Sequence, residues 1–188
     1  GVHEDEERSD EHGEYDPHVW HDPNNVLIWV ENISHALIQA DSDHTQEYQR
    51  NAADYSAKLT QLDLRIKEIV AEIPVEKRLL VTDHLIFGYF AQQYGFKVIE
   101  SIIPGFSTLS DPSAQELAAL TDQIRQADIQ ATFVGVSINP ALAEQIAQDT
   151  GVQLVYVYTG ALSDAGQPAA TYLEMMEYNA QAIAEALR

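Results

Sequence analysis

Residues 78–103 read RLLVTDHLIFGYFAQQYGFKVIESII. The run RLLVTDH is short and apolar, as a buried strand is. LIFGYFAQQYG carries helical spacing and closes on Gly95, a helix-ending signal. FKVIESII is a second apolar run. Strand, helix and strand in 26 residues predict a βαβ unit with parallel strands.

The same alternation continues to the C-terminus. PGFSTLSDPS is a loop, and AQELAALTDQIRQAD a helix with Ser113 near its cap. ATFVGV is a third strand. NPALAEQIAQDTG is a helix opened by Asn139-Pro140 and closed by Gly151. VQLVYVY is a fourth strand, and TYLEMMEYNAQAIAEALR the last helix. The predicted fold class is therefore α/β, with a parallel sheet of about four strands flanked by helices over 76–188. Ligand-facing loops of such a sheet lie at the strands' carboxyl ends. Here those ends are Asp83-His84, the 103–111 loop, Gly135 to Asn139, and Thr159 to Gly166.

Two helices are predicted upstream. The first spans about 26–40, with Leu27, Val30, Ile33, Leu37 and Ile38 near helical spacing. The second spans 43–73, with Ser42 or Asp43 at its start and Pro74 at its end. Its stripe runs through Tyr48, Ala52, Tyr55, Leu59, Leu62, Ile66, Ile69 and Val70. Roughly 30 residues at 1.5 Å each make a rod of about 45 Å, long for one compact domain. DPHVWHDPNN (16–25) is rich in turn signals.

Residues 1–15 are acidic and lack apolar periodicity, as a mobile loop does. The chain has 30 acidic and 10 basic residues, a formal net charge of −20. That balance disfavours nucleic acid and anionic membrane and favours cations. No cysteine is present, which excludes disulfides and thiolate metal sites. No apolar run reaches the length of a membrane span. Gly-x-Ser-x-Gly and His-Glu-x-x-His motifs are absent, which argues against an enzyme such as a metal-dependent hydrolase.

DPHVWHDPNN, TDHLIFGYFAQQYG, IIPGFSTLSDPSAQELAAL, INPALAEQIAQDTG and YTGALSDAGQPAATYLEMMEYN together resemble the metal-specific solute-binding proteins of ABC transporters. These are extracytoplasmic zinc and manganese receptors, periplasmic or held at the outer surface as lipoproteins, some of them described as adhesins. The resemblance covers 16–188. It implies two α/β lobes joined by one long helix, with metal held between the lobes. On that pattern 16–42 is the end of an N-terminal lobe, 43–73 the linking helix and 76–188 the C-terminal lobe. Most of the N-terminal lobe would lie outside this chain, and self-association of the chain through the bare surface is expected.

Site residues follow from the same resemblance. His18, in DPHVW, and His84, after LLVT, stand where the family places histidine metal ligands. A rigid Asp-Pro turn and Trp20 suit an imidazole held for zinc or manganese. Read from the residues alone, the competing readings are a surface turn histidine for His18 and a helix-capping histidine for His84. Asp83 is placed to accept a hydrogen bond from the second ring nitrogen of His84. Gly135 and Gly160 stand where many members carry carboxylate ligands, and Asp164 is a substitute candidate. His3, His12 and His21 are expected to act as loose ligands that collect zinc. His35 and His44 are expected to be exposed, Trp29 buried, and Met175 and Met176 core. The implied function is a receptor that hands zinc, ahead of manganese, to an ABC permease. The alternative is an adhesin that binds host or matrix protein.

Overall fold

The computed structural model describes residues 15–103 and 112–188. His3, His12 and the loop after Ile103 lie outside the described residues. The described chain is an α/β fold. Helix α1 (Pro23–Ala40) starts where the Asp22 side chain accepts from Asn24 N, with Pro23 in the first turn. A 3-10 turn, Ser42–His44, leads into α2 (Thr45–Ala71), so neither Ser42 nor Asp43 caps α2. Then follow β1 (Leu79–Thr82), α3 (Gly88–Tyr94), β2 (Lys97–Ser101), α4 (Ala114–Gln126), β3 (Ala131–Gly135), α5 (Ala141–Thr150), β4 (Gln153–Val157) and α6 (Tyr172–Leu187). Ser113 and Glu116 form a reciprocal capping box on α4. Gly95 and Gly151 end α3 and α5 in the left-handed conformation that glycine adopts without strain.

All strand pairs are parallel, in the order β2-β1-β3-β4. The chain leaves β1 toward β2 on one side and returns to β3 on the other. The carboxyl ends of β1 and β3 therefore flank the switch point where such sheets bind ligands. Side chains alternate across the sheet. Leu80 and Phe133 enter a core with Ile66, Phe90, Met176 and Ile183, from α2, α3 and α6. Val81 and Val134 enter a second core with Leu120, Ile124 and Ile146, from α4 and α5. Burial on both faces explains why the central strands β1 and β3 read as apolar runs.

The long helix α2 has 27 residues, about 40 Å at 1.5 Å each. All its buried residues lie between Leu59 and Val70; its first half packs on α1. Among the described residues only one flank of α1 is covered. Trp29 is consequently 42% exposed, against the expectation of burial, and Ile28, Ile33 and Leu37 are exposed with it. Met175 and Met176 are core, and His35 and His44 are exposed, as expected. No helix of the described residues is long and apolar enough to cross a membrane.

Candidate metal centre

The first sequence motif folds onto the sheet end as a tight turn. Asp16 Oδ1 accepts from the backbone N of His18 at 2.9 Å and pairs with its ring Nδ1 at 2.8 Å. The 3-10 turn Val19–His21 follows. Trp20 pins it to the C-terminal half: indole Nε1 donates to Thr159 O at 3.0 Å, and Tyr172 donates its hydroxyl to Trp20 O at 2.8 Å. The Trp20 ring stands edge-on to His18, 5.4 Å between centroids.

His84 comes from the carboxyl end of β1. The expected helix directly after it starts later, at Gly88, with Phe87 as its cap residue. His84 is thus not a helix cap. Its carbonyl accepts from Thr82 Oγ1 at 2.6 Å, and its backbone N donates to Asp83 Oδ1 at 2.7 Å. These bonds spend three residues on a turn before the helix forms. Gly88 opens α3 against the first motif: a Cβ there would lie 2.7 Å from Asp16 Oδ2.

Asp83 organises the site. Its Oδ1 pairs with His84 Nδ1 at 2.5 Å, and its Oδ2 accepts from Gly135 N at 2.6 Å. One buried carboxylate therefore ties His84 to the ends of β1 and β3. The two imidazoles meet at a centroid separation of 5.2 Å and an interplanar angle of 71°. Both are buried. Each has Nδ1 paired with a carboxylate, the kind of partner that orients a metal-ligating imidazole. Burial pushes the His18 imidazole below the ordinary histidine value, and the neighbouring His84 adds to this; Asp16 pulls the other way. Neutral imidazole is the form that binds a metal ion.

The two glycines differ in what surrounds them. A Cβ at Gly135 would meet Thr159 Oγ1 at 2.4 Å, Ile138 Cγ1 at 3.1 Å and Asp83 Oδ2 at 3.2 Å. A larger side chain at 135 has no room. Gly160 faces open space. Asp164 is exposed on a turn closed by Gln167 N, and the structure does not bring it to the histidines. Among the described residues no three His, Cys, Asp or Glu side chains converge to hold an ion.

His21 corrects the reading of the opening segment. The sequence expectation is a loose ligand alongside His3 and His12, yet His21 is 0% exposed, 4.7 Å from Phe87 between ring centroids. Burial, and then the nearby His18 and His84, hold its imidazole down to about 3. Two further anchors, Asp16 and Thr159, were missed. The Asp-x-His spacing signals the first, since Asp commonly caps the backbone two residues on. Nothing local signals the second.

Residues 1–186 match the family described as "Zinc-uptake complex component A periplasmic", ZnuA. This chain belongs to that family. It is 32% identical over 182 residues to the manganese ABC transporter substrate-binding lipoprotein PsaA of Streptococcus anginosus, covering 96% of this chain and 58% of PsaA. It is 35% identical over 170 residues to the iron-binding protein YfeA of Yersinia pestis, covering 90% and 54%. The periplasmic zinc binding protein TroA of Treponema pallidum superposes with a TM-score of 0.87 at 31% identity, over 94% of this chain and 65% of that one. A Mn-bound periplasmic metal binding protein of candidatus Liberibacter asiaticus superposes with a TM-score of 0.81 at 28% identity, over 96% and 66%. The chain spans little more than half the length of the curated relatives it matches.

Proposed function

We propose that His18 and His84 bind a transition-metal ion as cargo, and that the protein is an extracytoplasmic receptor passing it to an ABC permease. It acts by binding, without catalysis. The observation that carries this reading is the pair of buried imidazoles 5.2 Å apart, each with Nδ1 held by a carboxylate. Zinc is favoured over manganese. The relatives' names divide among zinc, manganese and iron, so the preference rests on this chain's residues. The donors are imidazoles, and Gly135 and Gly160 offer no carboxylate oxygen. Zinc accepts an all-nitrogen set, whereas manganese suits oxygen. A net charge of −20 draws cations to the surface. His3 and His12 lie in the acidic segment that would collect zinc near the site. Self-association through the apolar residues α1 exposes completes the reading; a monomer in sedimentation at high concentration counts against it.

Calorimetric titration of zinc and manganese tests the assignment, using the parent chain, His18→Ala/His84→Ala and a deletion of residues 1–14. The expected result is loss of the tighter zinc site in the double variant and loss of only weaker binding in the deletion. Zinc binding untouched by His18→Ala/His84→Ala would remove the reading.

A further inference from the structure

Asn179 lies on the face of α6 that carries Met175, Met176, Ala180 and Ile183 into the core, and it is 0% exposed. An apolar side chain would suit those neighbours, whereas a buried amide needs partners for its N–H and C=O groups. It finds them on a single residue. Its Nδ2 donates to Tyr158 O at 2.6 Å, and its Oδ1 accepts from Tyr158 N at 2.8 Å. Tyr158 is the first residue beyond β4, and the register of β4 with β3 ends at the pair Gly135 and Val157. The amide of Asn179 therefore takes over where the neighbouring strand stops, and satisfies backbone groups that the ladder no longer reaches.

That pair of bonds sets the course of the chain into the metal site. Thr159 follows directly, and its carbonyl accepts the indole N–H of Trp20 at 3.0 Å. Trp20 and Thr159 are 139 residues apart in sequence, so this bond docks the His18 turn on the sheet end rather than shaping it locally. Helix α6 holds the same turn a second time, since Tyr172 donates to Trp20 O at 2.8 Å. Trp20 in turn stands edge-on to His18, 5.4 Å between ring centroids. We propose that Asn179 is a positioning residue of the metal site: by fixing the backbone at Tyr158 it places the Thr159 carbonyl that Trp20 engages, and so holds His18 against His84. This role rests on the metal-receptor reading. It predicts more than lost stability. A side chain that only finished the end of β4 would, when removed, weaken the fold and leave the zinc affinity of the folded chain unchanged.

The test uses the full chain with His3→Ala and His12→Ala, which remove the imidazoles of the acidic segment. To this parent are added Asn179→Leu, Trp20→Phe, and both together. Trp20→Phe keeps a ring beside His18 and removes the N–H that reaches Thr159. Asn179→Ala serves as the second variant should the leucine chain not fold. Competition titration, at a temperature where every chain is folded, measures zinc affinity. NMR follows the Trp20 indole N–H, assigned by its loss in Trp20→Phe. The expected result is a shifted indole resonance and a fall in zinc affinity of about tenfold in Asn179→Leu, the low end for groups that orient a metal ligand. In the Trp20→Phe chain, itself weakened, the same change should lower affinity less than about twofold, because the link is already cut. Zinc affinity within about twofold of the parent in folded Asn179→Leu, or an equal fall with and without the Trp20 N–H, overturns this inference alone when His18→Ala/His84→Ala abolishes the site. Unchanged zinc affinity in Trp20→Phe overturns it too, since the bond to Thr159 would then carry nothing. Zinc retained by His18→Ala/His84→Ala overturns the receptor reading and this inference with it.

Discussion

Gly135→Ala adds one carbon where the structure has none to spare. The new Cβ would lie 2.4 Å from Thr159 Oγ1, with Ile138 Cγ1 at 3.1 Å and Asp83 Oδ2 at 3.2 Å. Thr159 is buried, and its carbonyl is held by Trp20. Gly135 itself is fixed by the hydrogen bond to Asp83 and by pairing with Val157. Overpacking of this kind costs up to about 3 kcal/mol. Alanine recovers about 0.7 kcal/mol through the lower entropy of its unfolded chain. The steric effect wins, and the net loss is about 2 kcal/mol. With a urea slope of about 2 kcal/mol per molar, the unfolding midpoint falls by about 1 M. Thr159→Ala removes the closest clashing atom, so the double variant should recover much of the loss, a coupling of about 1–2 kcal/mol. The same crowding presses on the carboxylate that holds His84, so zinc affinity falls in Gly135→Ala as well. Urea melts of the four chains of the cycle decide it. A Gly135→Ala chain within about 0.5 kcal/mol of the parent refutes the argument, because that is the range of an ordinary surface change.

Asp83→Asn keeps one acceptor oxygen but must turn an amide N–H toward a donor of His84 or Gly135; it should cost about 2–3 kcal/mol and lower zinc affinity about 10–100-fold, and unchanged titrations would show that His84 needs no such partner. Gly160→Asp enters open space, so stability should hold within about 0.5 kcal/mol, while metal affinity rises about tenfold, equivalent to about 1.4 kcal/mol. A stable Gly160→Asp chain with unaltered affinity would mean that position 160 does not reach the ion. His21 titrates near 3 when folded, against 6.5 for an ordinary histidine, because burial disfavours its charged form. The unfolded chain therefore takes up the proton first. The stability this buried neutral ring contributes is complete above pH 6.5 and declines as pH falls toward 3. By pH 5 the loss is about 2 kcal/mol, from about 1.5 pH units at 1.36 kcal/mol each. His21→Leu should flatten that part of the urea-stability profile, and equal slopes in both chains would count against a buried neutral histidine.

How much was legible depended on how local each signal was. The central strands β1 and β3 are readable because both faces of the sheet are covered there, so each is an apolar run. Ser113 and Glu116, Gly95 and Gly151 marked helix ends through interactions within a few residues. The helix after His84 was placed three residues early, because apolar Leu85 to Phe87 look helical. In the fold, hydrogen bonds from Thr82 and Asp83 hold that backbone in a turn. Trp29 and His21 were misjudged in opposite directions for one reason. Apolar periodicity describes a face, but the burial of a side chain depends on what comes to cover it. Among the described residues one flank of α1 stays open, while Phe87 and Trp20 close over His21.

Local pattern and composition carry the α/β class, the run of helices and strands, the acidic charge that favours cations, and the two histidine motifs. These rest on patterns repeated over a few residues and on composition, which no distant contact can alter. Tertiary structure decided the strand order that sets the ends of β1 and β3 side by side. It also decided the convergence of His18 with His84, the span of Asp83 to Gly135, and the closure of Thr159 over that glycine. Each joins residues far apart in the chain. Such contacts exist only once the sheet has closed its register and the Trp20 turn has docked on it.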